Sequence, residues 1–384
     1  MQIGLVGKPS SGKSSFFKAA TMIDVDIADY PFTTIKPNVG LGHVTKDCIC
    51  KEFGVECNPN NSICEEGKRL IPVKLIDVAG LVPDAHLGKG MGNQFLDDLR
   101  QADCLIHIVD ASGLTDAEGK VTKNHDPSED IKFLEREIDL WFTEIIKRAL
   151  EKYKRKRRVT KVDLLDILTD QLTGLGIVKG EIKEVMDKID VKETQKFTSY
   201  LRKMSKPIII AANKIDLPTS EENYKEMISN FPDLTIIPTS AAAEIALKTA
   251  EKKSLIKYQE NKIEIIGDIE GKQKKGLEFI RENVLKRRDS TGIRKCLNTS
   301  VFDVLDYIAV YPVADANKLT DKKGNILPDT YLVKKGTKLK EFAFMIHSDI
   351  GEKFIGGLDA RKKIKLGANY ELKDNDVIEI LTQN

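Results

Sequence analysis

The sequence predicts an α/β protein in which a parallel sheet is interrupted by a helical insertion and followed by a small α+β module. Three observations support this. Strand and helix patterns alternate through the first half, which is the order that builds a parallel sheet. The interval 111–206 between two consecutive strands is far longer than a whole strand–helix–strand unit, which takes ~30 residues. From residue 306 onwards, short strand patterns alternate with turns.

Five segments of the first half are apolar along their whole length. Strands covered by helices on both faces have this composition, because neither face is exposed to water. The predicted strands are residues 3–6, 73–77, 104–110, 207–213 and 234–238. We therefore expect one central parallel sheet.

The long interval carries a clear helix start. Asp126, Pro127 and Glu129 supply an N-cap, a proline at the first helical position and a glutamate two residues later. Apolar residues then recur at three- and four-residue steps, as on one face of a long helix: Ile131, Leu134, Ile138, Trp141, Ile145 and Ala149. Further helices are predicted at 163–172, 181–189 and 193–204. We expect a helical insertion over 126–205, within an α/β domain formed by 1–125 and 206–305.

Residues 306–384 have a different pattern of predicted elements. Strands are predicted at 309–311, 331–333 and 377–381, turns at 321–324 and 375–376, and one helix at 339–347. This pattern predicts a compact α+β module.

The segment from Gly7 to Ser14 fits the phosphate-binding motif G-x-x-x-x-G-K-[ST], between a strand and a helix. In such a loop the backbone N–H groups surround the phosphates, the lysine neutralises them and the hydroxyl binds Mg²⁺. The predicted nucleotide-binding residues here are Gly7, Ser10, Ser11, Gly12, Lys13, Ser14 and Ser15.

Two further segments predict how Mg²⁺ and the γ-phosphate are held. Asp77 and Gly80 close a buried strand, where an acid at the carboxyl end faces the ligand crevice. Asp77 is expected to hold Mg²⁺ through water, and the Gly80 N–H to reach the γ-phosphate. Thr34, in the loop 30–37, is expected to complete the Mg²⁺ ligands with Ser14. The predicted catalytic residues are Lys13, Thr34 and Gly80.

The sequence Asn213-Lys214-Ile215-Asp216 follows another buried strand and predicts guanine recognition. A carboxylate at Asp216 accepts hydrogen bonds from guanine N1–H and the N2 amine, which adenine lacks, so adenine would leave it unpaired. The Lys214 stem can pack over the base. Ser240 and Ala241 are expected to offer a backbone N–H to guanine O6. We therefore expect GTP and GDP as ligands.

Together these motifs resemble the Obg-like translational GTPases, in particular the archaeal form of the YchF-type branch. The resemblance rests on YPFTTIKPNVG, DVAGLVPDAHLGKGMGNQFLDDLRQAD, NKID and PTSAAAE. The strings KKGTKLKEFAFMIHSDIG and ELKDNDVIEIL resemble a TGS domain, a ubiquitin-like β-grasp module. The resemblance implies a P-loop GTPase domain, a helical insertion, a C-terminal TGS domain and a GTP-driven switch that docks on the ribosome.

Three positions depart from the patterns of related GTPases. Many YchF-type proteins carry glutamate in place of Asp216 and accept ATP, so Asp216 favours GTP. The family usually has asparagine, linked to an activating potassium ion, where this chain has Ser10. Leu81 stands where Ras-like enzymes place a water-orienting glutamine, which predicts slow turnover.

Two other function classes compete with a GTPase. A P-loop ATPase or small-molecule kinase would need no guanine-reading Asn213–Asp216 segment. A binding module with a degraded nucleotide site would not keep Lys13, Ser14 and Asp77. A GTPase is therefore the preferred interpretation.

Four thiols, Cys48, Cys50, Cys57 and Cys64, lie in one segment. Their spacing, C-x-C-x6-C-x6-C, lacks the paired C-x2-C units that mark zinc motifs. Zinc ligation and a loop with unrelated thiols both remain open. We expect the second, and a protein that folds without stoichiometric zinc. A disulfide is expected only in an intracellular protein of a hyperthermophile.

The formal net charge is only +2, so any attraction to nucleic acid must come from local patches. The basic run 152–158 is such a patch: it is either a solvated helix face or, as we prefer, a contact for ribosomal or other structured RNA. The basic segment 361–363 is a weaker candidate for such an RNA contact. His86 is interpreted as a solvated loop histidine rather than a water-positioning group.

No apolar run approaches the ~20 residues that cross a bilayer, and Met1 leads directly into a strand. We expect a cytoplasmic protein with no membrane or DNA partner; the oligomeric state is left open.

Overall fold

A computed structural model describes residues 1–22, 38–78, 92–156, 163–259 and 261–383. The described residues form two compact units. The first contains the described residues of 1–22, 38–41 and 74–296, and the second contains 42–73 and 297–383. The predicted site residues Thr34 and Gly80, and the positions Leu81 and His86, lie outside the described residues.

A seven-stranded sheet contains all five strands predicted for the first half. Its strands are β1 (Gln2–Val6), β2 (Val39–Asp47), β3 (Ile63–Glu65), β4 (Lys68–Asp77), β5 (Cys104–Asp110), β6 (Ile208–Asn213) and β7 (Ile236–Pro238). The order is β2-β4-β1-β5-β6-β7, with β3 antiparallel to β4. From β4 to β7 the neighbours pair in parallel, as predicted. The sequence did not predict β2, which contains glycine and polar residues, or the three-residue β3.

The parallel register places the carboxyl ends of several strands at one edge. Leu5 is opposite Asp77 on one side, and Asp110 is opposite Asn213 on the other. Side chains that follow these strands therefore meet at one edge, where ligands bind in open α/β sheets.

Fourteen α-helices lie in the described residues. They are α1 (Lys13–Thr21), α2 (Cys50–Phe53), α3 (Gly92–Gln101), α4 (Pro127–Lys156), α5 (Leu164–Leu172), α6 (Lys179–Lys188), α7 (Thr194–Ser205), α8 (Ser220–Asn230), α9 (Ala241–Lys252), α10 (Gly271–Ile280), α11 (Lys286–Arg288), α12 (Ile293–Asn298), α13 (Leu339–Ile346) and α14 (Ser348–Glu352). A hairpin of β8 (Ile256–Gln259) and β9 (Lys262–Ile265) follows α9. No described helix has the length and apolarity needed to cross a membrane.

Helices α4 to α7 lie in the interval for which helices were predicted. The helix start is confirmed, because the Ser128 N–H donates to Asp126 Oδ1 at 2.8 Å. The buried face of α4 is wider than the predicted stripe: Phe142 and Ile146 are fully buried, whereas Ile145 is only partly buried. One continuous apolar core joins this face to α3, α5–α7 and strands β1, β5 and β6, so the insertion packs on the sheet.

The C-terminal module has the mixed sheet expected of a β-grasp fold. Its strands are β10 (Tyr307–Val313), β11 (Tyr331–Lys334), β12 (Phe354–Asp359), β13 (Lys365–Leu366) and β14 (Asp376–Thr382), in the order β11-β10-β14-β12-β13. β10 and β14 are parallel, and the other pairs are antiparallel. Leu339 and Phe342 of α13 are buried in the core of this sheet. The sequence did not predict β12, which has two glycines, or the short β13.

The cysteine segment corrects one expectation. Cys48 follows β2, Cys50 opens α2 and Cys64 lies in β3. The four sulfur atoms lie within 4.8 Å of one another, so these thiols are not unrelated residues of a loop.

Candidate nucleotide site

The loop between β1 and α1 is held against the ends of β5 and β6. A Cβ atom at Gly12 would lie 2.3 Å from Asn213 Nδ2, and φ of Gly12 is 94°. A Cβ atom at Gly7 would lie 2.7 Å from the Ile108 carbonyl oxygen. Both positions therefore require glycine, for space at Gly7 and for space and backbone conformation at Gly12. Ser10 also adopts positive φ, at 62°.

Asn213 connects the phosphate loop to the segment that follows β7. Its Nδ2 donates to the Ser11 carbonyl oxygen at 2.9 Å, and its Oδ1 accepts from the Ala241 N–H at 3.1 Å. The sequence predicted a contact with the nucleotide for Asn213. The structure adds a positioning role: the Asn213 side chain connects the phosphate loop to the predicted base-binding loop and fixes the distance between them.

The predicted phosphate lysine and the predicted magnesium acid lie together. The Lys13 amino group contacts Asp77 Oδ1, and both side chains are partly buried. Ser14 and Ser15 are exposed at the start of α1. A serine hydroxyl and a carboxylate are hard oxygen donors of the kind Mg²⁺ prefers. The residues present therefore fit a magnesium ion at this edge of the sheet.

At the base-recognition end, Asp216 has an unsatisfied atom. Its Oδ1 is buried and has no hydrogen-bond partner among the described residues. A buried acceptor without a partner costs free energy, which a ligand donor recovers. This is the arrangement expected where guanine supplies the missing N–H groups.

Lys214 is anchored next to this acid. Its φ is 61°, and its amino group donates to Asp110 Oδ2 at 2.7 Å. Asp110 is fully buried; burial raises its pKa, but hydrogen bonds from Lys214, Ser112 and Thr115 more than offset this and lower it. The lysine head is thus held on an ionised carboxylate, which fixes the direction of its stem.

The predicted donors to guanine O6 are engaged elsewhere. The Ser240 N–H donates to the Thr291 carbonyl oxygen at 2.9 Å, and the Ala241 N–H donates to Asn213. Ser240 Oγ accepts from the Ala243 N–H and caps α9. These residues lie beside the base-recognition segment, but a contact with O6 would require Ala241 to share its N–H.

Sequence reasoning missed the buried lysine of the loop, Lys8. Its amino group donates to the Thr115 carbonyl oxygen at 2.7 Å and pairs with Asp130 at 2.8 Å, and Asp130 also contacts His125. The partners are more than a hundred positions away in the sequence, so no local pattern indicates them. Asp110 had a detectable signal, because it ends a buried strand as Asp77 does.

Comparison with known families gives three matches along the chain. Residues 2–143 match the family described as 50S ribosome-binding GTPase. Residues 211–315 match the Obg-like GTPase YGR210-like, G4 motif-containing domain, and residues 318–382 match the TGS domain. The GTP-binding protein MJ1332 of Methanocaldococcus jannaschii is 50% identical over 99% of this chain and 98% of its own length.

The chain belongs to the Obg-like GTPases of the YchF type. This Obg-like GTPase is also 28% identical to the ribosome-binding ATPase YchF of Bacillus subtilis, over 98% of the chain and 97% of that protein. The crystal structure of a GTP-binding protein from Pyrococcus horikoshii OT3 covers all of both chains, with 38% identity and a TM-score of 0.80.

Membership of this family confirms the predicted fold class, a P-loop GTPase domain with a C-terminal TGS domain. It also confirms GTP binding and hydrolysis over the alternative of a P-loop ATPase or small-molecule kinase. The roles assigned to individual residues remain predictions.

Proposed function

We propose that this Obg-like GTPase selects GTP over ATP through Asp216, uses Mg²⁺ held by Ser14 and, through water, by Asp77, and associates with the ribosome or structured RNA in its GTP state. The observation that carries the proposal is the buried, unpaired Asp216 Oδ1, beside a lysine already anchored on Asp110. A site built this way favours the base that completes its hydrogen bonds.

Phosphate binding requires an exchange of partners at Lys13. In the described structure its amino group neutralises Asp77. When nucleotide enters, the lysine is expected to turn to the β- and γ-phosphates. When bound, Mg²⁺ would supply charge neutralisation of the phosphates. Asp77 would thus pair with Lys13 in the absence of nucleotide and with Mg²⁺, through water, when nucleotide is bound.

Base choice is tested by competition between GTP and ATP for the intact protein. GTP should bind at least tenfold more tightly, which corresponds to ~1.4 kcal/mol. Asp216→Asn should lose this preference and favour xanthosine nucleotides, whose position 2 carries oxygen instead of an amine. Asp233→Asn, at an exposed aspartate before β7, is the matched control and should keep the parent's preference. Equal affinities of the parent for GTP and ATP would rule out the proposed role of Asp216.

Ribosome association is supported by the basic run at the end of α4. Lys154 and Arg155 are exposed there, and the only ion pair recorded for Arg155 in the described residues is a 3.9 Å contact with Glu151. The rest of the run, from the Lys156 side chain to Arg158, lies outside the described side chains. Phosphate contacts made by such residues release counterions, so binding should weaken steeply with salt.

The second basic segment does not form a comparable patch. Arg361 pairs with Glu52 through two nitrogen atoms and donates to the Asn375 carbonyl oxygen. Lys363 donates to the Ala316 carbonyl oxygen. These side chains stabilise the second unit, so the proposed RNA contact is confined to the run 152–158.

Co-sedimentation with ribosomes tests this contact. Replacing Lys154, Arg155, Lys156 and Arg157 by alanine should weaken binding and flatten its salt dependence, with GTP affinity unchanged. A matched control replaces four exposed basic residues elsewhere by alanine: Lys272, Lys274, Lys275 and Arg287. Binding should be tighter with a non-hydrolysable GTP analogue than with GDP. If the first variant sediments as the parent does at every salt concentration, the run is only a solvated helix face.

A further inference from the structure

Four thiols of the second unit surround a common point. The Cys48 and Cys57 sulfur atoms are 3.8 Å apart, and those of Cys50 and Cys64 are 3.9 Å apart. All four lie within 4.8 Å of one another. Cys48 and Cys50 are buried, and Cys57 and Cys64 are partly exposed.

The Cys48–Cys57 and Cys50–Cys64 separations match two edges of a metal-centred tetrahedron. Four sulfur ligands at ~2.3 Å from a zinc ion lie ~3.8 Å from one another. A disulfide would instead bring two sulfur atoms to ~2.0 Å. The geometry of the four residues therefore corresponds to ligands around one ion rather than to two bonded pairs.

The backbone around the thiols is built from tight turns. Gly54 ends α2 with φ of 62° and turns the chain back, and the Val55 N–H donates to the Cys50 carbonyl oxygen at 3.0 Å. Glu66 and Gly67, both at positive φ, form the two-residue turn of the β3–β4 hairpin. The Cys48 N–H donates to the Gly67 carbonyl oxygen at 2.8 Å. This hydrogen bond holds the turn of the β3–β4 hairpin against Cys48.

A buried positive charge lies against the cluster. Arg69 is fully buried and stands opposite Cys64 in the β3–β4 register. It donates to Ser62 Oγ at 3.1 Å and to the Leu327 carbonyl oxygen at 3.0 Å. Within the described residues, no carboxylate is recorded as its partner.

Such a charge calls for a compensating negative group, because an uncompensated buried ion is costly. Four thiolates around a divalent ion carry a net charge of 2−, which the guanidinium would balance in part.

We propose that Cys48, Cys50, Cys57 and Cys64 bind one zinc ion as a structural, four-thiolate site. A tetrahedral set of four sulfur donors suits zinc, and a site without an open position is structural. This replaces the expectation from spacing alone that the protein folds without stoichiometric zinc. The spacing lacks paired C-x2-C units because the ligands come from a strand end, a helix start, a loop and a hairpin.

The site would fix the segment that contacts the C-terminal module. Between Cys57 and Cys64 the chain is largely polar, so it has little apolar surface of its own to bury. Backbone N–H groups of Asn58 and Asn60 donate to the carbonyl oxygens of Ile326 and Pro328. The Asn61 side chain exchanges hydrogen bonds with Thr330. Metal binding supplies folding free energy to such small segments.

Metal analysis of the full chain tests the proposal. The protein is produced without a histidine tag, in zinc-supplemented medium, and purified without chelator. We expect one zinc ion per chain by elemental analysis. Cys57→Ser should lower the content at least tenfold. Cys296→Ala, at a buried cysteine outside the cluster, should keep the parent's zinc.

A second measurement does not depend on the stability of a variant. Replacing the metal of the parent protein with Co²⁺ should give the absorption bands of a tetrahedral cobalt–thiolate centre. Three results would overturn the proposal: folded parent protein with no metal, stoichiometric iron in place of zinc, or native masses that show Cys48–Cys57 and Cys50–Cys64 disulfides.

Discussion

At the scale of single residues, we propose that nucleotide chemistry depends on the Lys13 side chain. It lies at the start of α1 and contacts Asp77. The family resemblance and Leu81 imply slow turnover, well below ~1 s⁻¹ for the free protein, as in unassisted switch GTPases.

Lys13→Ala should therefore abolish GTP hydrolysis, because no other described cation is placed at the start of the phosphate loop's helix. Phosphate release measured over hours is the assay. Lys18→Ala, at an exposed lysine of the same helix, should hydrolyse GTP as the parent does. An active Lys13→Ala variant, or rapid turnover of the free parent, would contradict the assignment.

His107 gives a second prediction at this scale. It lies in β5, and burial, with a smaller contribution from the charge of Lys8, lowers its pKa from 6.5 to about 3. Below pH 6.5 the unfolded chain takes up a proton at this histidine and the folded chain does not. Stability is therefore lost as the pH falls from 6.5 towards 3, by up to ~1.4 kcal/mol per pH unit.

His107→Gln should lose less stability between pH 7 and pH 5 than the parent, in urea unfolding followed by the fluorescence of Trp141, the single tryptophan. His347→Gln is the control, since this histidine is exposed. Parallel losses for the parent and His107→Gln would show that His107 does not carry the effect.

At the scale of elements, one buried arginine joins two helices of the insertion. Arg202 of α7 is 2% exposed, and it donates to Asp139 at 2.7 Å and to Glu135 at 3.0 Å on α4. A guanidinium held by two carboxylates stays charged in a buried place, and its loss leaves both acids without their partner.

Arg202→Ala should lower the free energy of unfolding by roughly 3 kcal/mol, the lower end for breaking a buried pair, because both acids keep some exposure. Denaturant unfolding measures this. Arg148→Ala, at an exposed arginine of α4, should change stability little. If the two variants were equally stable, the buried pair would not hold α7 on α4.

At the scale of the whole molecule, the predicted nucleotide-binding residues belong to the first unit, whereas the TGS domain and the thiol cluster belong to the second. Phe342 of α13 is fully buried in the core of the second unit, and Phe344 on the same helix is 46% exposed.

Phe342→Ala should destabilise the second unit by about 3–5 kcal/mol through the cavity it leaves. GTP affinity should stay within about twofold of the parent. Calorimetry and nucleotide titration measure the two effects, and Phe344→Ala should change neither. A large loss of GTP affinity in Phe342→Ala would mean that nucleotide binding requires an intact second unit.

The sequence by itself determined the elements whose signal is local. The all-apolar strands, the Asp126 helix start and the phosphate and base motifs each depend on neighbouring residues and on steric rules that act over a few positions. It also predicted the C-terminal module. One strand of that module, β12, was missed because its two glycines interrupt the apolar pattern.

Only the tertiary structure decided which distant groups meet. The contacts of Lys8 with Asp130 and of Asn213 with Ser11, and the convergence of the four thiols, depend on chain reversals and packing that no spacing records. The same holds for Arg361, whose charge is paired with Glu52 within the second unit. Burial and ion pairing are properties of the packed chain. Residue type alone therefore predicts which side chains are able to bind a ligand or form an ion pair. It does not predict which of these side chains already have a partner in the folded protein.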